Sequence, residues 1–82
     1  MARRDTFGSE YQAIIAKLVE RRRAKGLTQV DLARAIGTDQ SQISKIERAE
    51  RRLDLIDYLR VCQALELDPA EPARGIKFPI QR

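Results

Sequence analysis

The chain has 82 residues, of which 43% are hydrophobic and 34% charged, with a formal net charge of +4. That length supports one domain around one small core, that composition excludes a disordered chain, and the positive balance favours a polyanionic partner. The absence of His excludes His-based catalysis and His-ligated metal sites, while the single cysteine excludes an internal disulfide framework and fits a reducing cytosol.

Helix start and stop signals divide the chain in order. Residues 1–8 read as a charged N-terminal arm. The apolar stretch that follows is short and interrupted by Lys17, which suits neither a signal peptide nor a membrane span. Ser9 is the expected cap of a first helix over about 9–25, with Gln12 as its reciprocal partner and Tyr11, Ile14, Ile15 and Leu18 as its apolar stripe. Gly26 ends it. Thr28 caps a second helix over 29–36, Asp31 completes the capping box, and Leu27 and Leu32 form a hydrophobic staple. Gly37 ends that helix.

Asp39 caps a third helix over 40–48, with Gln42 in the box position and Ile43 and Ile46 facing inward. A basic connection, 48–53, leads to Asp54, the expected cap of a fourth helix over 54–66, with Asp57 in its box. Its predicted inner stripe is Leu55, Tyr58, Leu59, Cys62 and Leu65, with Ile56 and Val61 as a second apolar set. Pro69 and Pro72 permit only a short fifth helix over 69–74. The pattern is all-α and compact, four to five helices, with 9–74 as the domain and 75–82 as a C-terminal tail.

A two-turn helix, a tight glycine turn and an immediate third helix form a helix-turn-helix pattern. Inward anchoring by Ile43 and Ile46 leaves Gln40, Ser41, Ser44 and Lys45 on the opposite face, short or flexible polar groups suited to base edges in the major groove. Phosphate contacts are expected from Thr28 and Gln42 at the heads of the second and third helices, and from Arg48, Arg51 and Arg52 beside the groove. Cys62 reads as a small core residue.

The residues sharpen this pattern. The runs Gly26-Leu27-Thr28-Gln29-Val30-Asp31-Leu32-Ala33, Ile36-Gly37 and Gln40-Ser41-Gln42-Ile43-Ser44-Lys45-Ile46-Glu47 resemble the Cro/C1 (XRE) family of helix-turn-helix proteins, over about 18–69. The resemblance implies a lambda-repressor-like DNA-binding domain that acts as a dimeric transcriptional repressor. It implies that Gln29 grips a phosphate, that Gln40 contacts an adenine, that Ser41 and Lys45 face bases, and that Arg22 and Glu47 form a structural ion pair. The sequence departs from the family's common pattern at Ala49 and Glu66, where glycine is frequent, at Glu50, which weakens a phosphate clamp, and at Arg21, where an apolar residue is common. Arg21 and Arg23 read as solvated.

The expected partner is double-stranded DNA, bound by a homodimer through apolar surface on the fourth helix and the tail. No cofactor, metal, membrane or small-molecule ligand is expected, no enzymatic activity, and a cytoplasmic, nucleoid-associated location. Two alternatives stay open: the antitoxin of a toxin–antitoxin pair, which binds DNA and a toxin protein, and a protein-binding adaptor on the same fold.

Overall fold

Local capping chemistry fixes where most of the helices begin. The computed structural model describes residues 8–79 and contains α1 (Ser9–Ala24), α2 (Gln29–Ile36), α3 (Gln40–Glu47) and α4 (Leu55–Ala64). The Thr28 hydroxyl accepts from the Asp31 amide at 3.0 Å, and the Asp31 carboxylate accepts from the Thr28 amide at 2.9 Å, a complete capping box. Those bonds hold the Asp31 carboxyl below the usual carboxylate range. Asp39 and Asp54 cap α3 and α4 by accepting from the Gln42 and Asp57 amides. The return bond expected from Gln42 is absent: its Oε1 is buried and makes no hydrogen bond.

The start of α1 differs from expectation. Gly8 is the N-cap, its carbonyl accepting from the Gln12 amide at 3.0 Å, and Ser9 is already helical. Glycine's extended backbone serves as the cap without a side-chain bond. The remainder of the expected arm, 1–7, lies outside the described residues.

All four helices end in the same closure, an amide just past the helix bonding back to a carbonyl of its last turn. The bonds run from Leu27 to Arg22, Thr38 to Ala33, Glu50 to Lys45 and Leu67 to Cys62. Each closure needs a residue in the left-handed region. Gly26 and Gly37 supply it at φ 72° and 80°, whereas Ala49 and Glu66 adopt it at 59° and 53° despite carrying side chains.

Packing against the core sets the remaining geometry. α2 packs on α3 and α4, and α1 on α3. Ile15, Leu18, Leu32, Ala33, Ile43, Ile46, Leu53, Val61, Cys62 and Leu65 form one buried aliphatic cluster. Burial pushes the Cys62 thiol pKa up, which keeps it protonated and suits its place in the core.

The phase of α4 corrects the predicted stripe. The inner face is Tyr58, Val61, Cys62 and Leu65, spaced i, i+3, i+4, i+7, while Leu55 and Leu59 are exposed and Val61 is buried. The exposed set is therefore Leu55, Ile56 and Leu59.

Beyond α4 no fifth helix forms among the described residues. Segment 69–75 is a run of turns, with the Glu71, Arg74 and Ile76 amides each bonding three residues back. Proline at 69 and 72 removes the amides that a continuing helix would use. Pro72 is fully buried and the Tyr58 hydroxyl donates to the Pro69 carbonyl, which pins the turns to α4.

Arg21 corrects another expectation. It is not simply solvated: its Nε donates to the Leu65 carbonyl and its Nη2 to the Glu66 carbonyl, each at 3.0 Å. It satisfies carbonyls left open where α4 ends. Among the described residues no helix is long and apolar enough to cross a membrane.

Candidate nucleic-acid interface

The short turn at Gly37 brings the heads of α2 and α3 together, and Ile43 and Ile46 fix which face of α3 points away from the core. On that outer face Gln40, Ser41 and Lys45 are exposed and Ser44 is half-buried. The helix is two turns long, bounded by a sharp turn on one side and a basic loop on the other. It is an exposed polar ridge of the width that enters a major groove.

A chain of polar side chains runs from the core to this ridge. Arg22, 7% exposed, is the only buried charged residue among those described. Its Nε donates to Glu47 Oε2 at 2.6 Å, its Nη2 to Glu47 Oε1 at 3.0 Å, and its Nη1 to the Leu27 carbonyl at 2.7 Å. Glu47 Oε1 also accepts from Gln29 Nε2 at 2.8 Å, and Gln29 Oε1 accepts from Gln40 Nε2 at 2.6 Å. The expected Arg22–Glu47 pair is therefore present. Two residues expected to meet DNA, Gln29 and Gln40, are continuous with it. A bidentate pair out of water is stronger and stiffer than an exposed one, so this chain holds α1, α2 and α3 in register.

No local pattern in the sequence signals the two links through Gln29. One signal was available: Gln40 and Glu47 are seven residues apart, two helical turns, and so share the edge of α3 that faces the head of α2.

The other expected phosphate ligands are arranged differently. Thr28 is exposed, but its hydroxyl and amide are engaged in the capping box. Gln42 is half-buried with its carboxamide oxygen turned inward. Arg48 and Arg51 are exposed on the α3–α4 loop, and Arg48 pairs with Glu50 at 3.1 Å. The Arg52 guanidinium lies over the Tyr11 ring, 5.0 Å from its centroid. Tyr11 also accepts the Leu53 amide at 2.8 Å, a contact between α1 and this loop that nothing in the local sequence pattern indicated. The described residues contain no group of three or more Cys, Asp or Glu placed to hold a metal ion.

Comparison with known proteins agrees with this geometry. The family model for helix-turn-helix proteins named HTH_3 matches residues 18–71. An XRE-family like protein from Pseudomonas syringae pv. tomato shares 44% identity, covers 78% of each chain and superposes with a TM-score of 0.73. The restriction-modification controller protein C.AhdI from Aeromonas hydrophila shares 35% identity over 74% of this chain and 94% of its own, with a TM-score of 0.68. No curated protein matches the chain significantly. The matched family consists of DNA-binding regulators rather than enzymes. With an all-α fold, a helix-turn-helix and a polar ridge in the expected place, the chain belongs to the XRE family of helix-turn-helix proteins and is a DNA-binding transcription regulator.

Proposed function

We propose that this protein is a sequence-specific repressor that binds DNA as a homodimer, reading the major groove with α3. The observation that carries the reading is the ordered ridge of α3, on which Gln40 is already oriented by Gln29. Gln40, Ser41, Ser44 and Lys45 meet base edges, and Lys45 suits guanine O6 or N7. Gln29, Arg48, Arg51 and Arg52 meet phosphates, with Thr28 and Gln42 at the helix heads as weaker candidates. Repression then requires only that the protein occupy its site.

Homodimerisation is supported by apolar surface. Leu55, Ile56 and Leu59 are 71%, 56% and 42% exposed on one face of α4, and Phe78 is 48% exposed in the following tail. Large apolar side chains grouped in this way mark an association site. A small module reads few bases, so a second copy supplies the missing specificity. Two reading helices related by a two-fold axis sit about 34 Å apart on a palindromic site. The likeness to a restriction-modification controller protein favours a second, narrower reading, in which the regulated genes belong to such a system.

Selection of binding sites from a random DNA pool tests the proposal. The expected product is a pair of inverted half-sites one helical turn apart, bound less tightly as salt rises. Gln40→Ala is expected to relax one base position in each half-site. A folded protein that enriches no sequence would overturn the reading in favour of a protein-binding adaptor.

A further inference from the structure

Glu47 lies two side chains away from the exposed end of Gln40, yet the hydrogen bonds that begin on it determine what Gln40 can offer. A carboxylate only accepts and a guanidinium only donates. Arg22 donates to both Glu47 oxygens, so Gln29 must turn its Nε2 toward Glu47, as it does at 2.8 Å. Gln29 then turns its Oε1 toward Gln40, which donates its Nε2 at 2.6 Å. The order of donors and acceptors along the chain thus starts from the acceptor-only residue at its inner end.

This direction has a consequence for base choice. One of the two Nε2–H bonds of Gln40 is used inside the protein, which leaves one N–H and the carbonyl oxygen facing outward. In the major groove adenine offers an acceptor at N7 and a donor at N6, and guanine offers two acceptors, N7 and O6. Gln40 held in this way satisfies both groups of adenine. Against guanine its carbonyl oxygen faces O6, acceptor against acceptor, and a second N–H is not available unless the bond to Gln29 breaks.

We propose that Glu47 is a specificity-determining positioning residue, which acts through Gln29 to fix the direction of the Gln40 carboxamide and so selects adenine over guanine. The inference rests on the proposed function, in which Gln40 meets a base edge. It makes a prediction for Glu47→Gln. Glu47 Oε1 accepts from both Arg22 Nη2 and Gln29 Nε2, and Oε2 from Arg22 Nε, so a carboxamide at this position sets its NH2 group against a guanidinium donor in either orientation. The acceptor that orients Gln29 is then no longer held in place, Gln29 can turn either end of its amide toward Gln40, and Gln40 is no longer restricted to one direction.

The test measures binding to the selected site carrying each base at the position that Gln40→Ala relaxes. The parent protein is expected to favour adenine over guanine on the order of tenfold. Glu47→Gln is expected to lower that ratio, and Gln29→Met, which keeps the length and removes the amide, to bring it near one. The double variant is expected to match Gln29→Met, because Glu47 then has no route to Gln40. A merely structural role for Glu47 would lower affinity for all four bases alike and leave the ratio unchanged, and that result would overturn the proposal. So would a parent preference for guanine at this position. Circular dichroism reports folding; if Glu47→Gln unfolds, Gln29→Met decides alone, since an unchanged ratio in that variant also overturns the proposal. A parent protein that selects no site overturns the proposed function instead, so the two failures are distinguishable.

Discussion

Helices α3 and α4 bury similar apolar stripes and present opposite outer faces. The outer face of α3 is polar and tied to the rest of the fold by the Arg22–Glu47–Gln29–Gln40 chain. The outer face of α4 carries Leu55, Ile56 and Leu59, exposed to solvent in the single chain. The difference shows how a small domain divides its surface. A face that recognises by hydrogen bonding has to be held rigid before the partner arrives, because each loose side chain loses rotamer freedom on binding. A face that associates by apolar burial needs no such internal wiring, because that driving force is non-directional.

The largest effect is expected from breaking the wiring behind α3. Arg22→Ala leaves the Glu47 carboxylate, 11% exposed, without its cation, and the Leu27 carbonyl without its donor. Removing one partner of a buried pair costs about 3–5 kcal/mol, a large share of the roughly 5–15 kcal/mol that holds a domain together. Urea unfolding is expected to show that loss, and DNA binding to fall with it. A loss under 1 kcal/mol would mean that the pair is dispensable and that α3 is held by Ile43 and Ile46 alone.

A smaller effect, confined to the other face, is expected from Leu55→Ser with Ile56→Ser. Both side chains are more than half exposed, so stability of the single chain should change by no more than about 0.5 kcal/mol per site. Sedimentation is expected to show a shift from dimer to monomer. Affinity for a paired site is expected to drop on the order of 100-fold as the gain from tethering two modules is lost, with half-site affinity retained. If the variant still sediments as a dimer, the interface lies elsewhere.

The contrast between the two helices also explains what the sequence made legible. Caps are local chemistry, so Thr28, Asp39 and Asp54 marked three helix starts correctly, and Gly26 and Gly37 marked two ends. The start of α1 was misplaced by one residue because Gly8 caps through its backbone and leaves no side-chain signature. The phase of α4 was ambiguous for a definite reason. Its eight apolar residues between 55 and 65 contain two overlapping helical stripes, and only packing against the core decides that Val61 turns inward and Leu55 and Leu59 turn out. At the interface, periodicity separated Gln40, Ser41 and Lys45 from Ile43 and Ile46, since one helix face is a property of spacing. The choice of partner among distant polar side chains is not. Gln29 bonding to Glu47, Tyr11 to the Leu53 amide, and Arg21 to the end of α4 all join residues 18 or more positions apart.

The smallest effect concerns the ends of α3 and α4, which close identically on non-glycine residues in the left-handed region. A Cβ there costs about 1–2 kcal/mol, and replacing Ala by Gly returns about 0.4–1 kcal/mol of that through the added freedom of the unfolded chain. Ala49→Gly is therefore expected to stabilise the fold by about 0.5–1 kcal/mol, visible as a higher urea midpoint with an unchanged slope. Glu66→Gly relieves the same backbone conformation but also removes the carboxylate that pairs with Lys25, whose bond holds the Glu66 carboxyl below its ordinary pKa. That group gains stability from its pair only while ionised, so the contribution is present at neutral pH and lost as pH falls through its lowered pKa. Glu66→Gly should thus gain less than Ala49→Gly at pH 7, and the two gains should converge in acid as the Lys25 pair disappears from the parent. Equal gains at both pH values would show that the pair at the end of α4 adds nothing, and that backbone conformation alone distinguishes glycine from its replacements at these two helix ends.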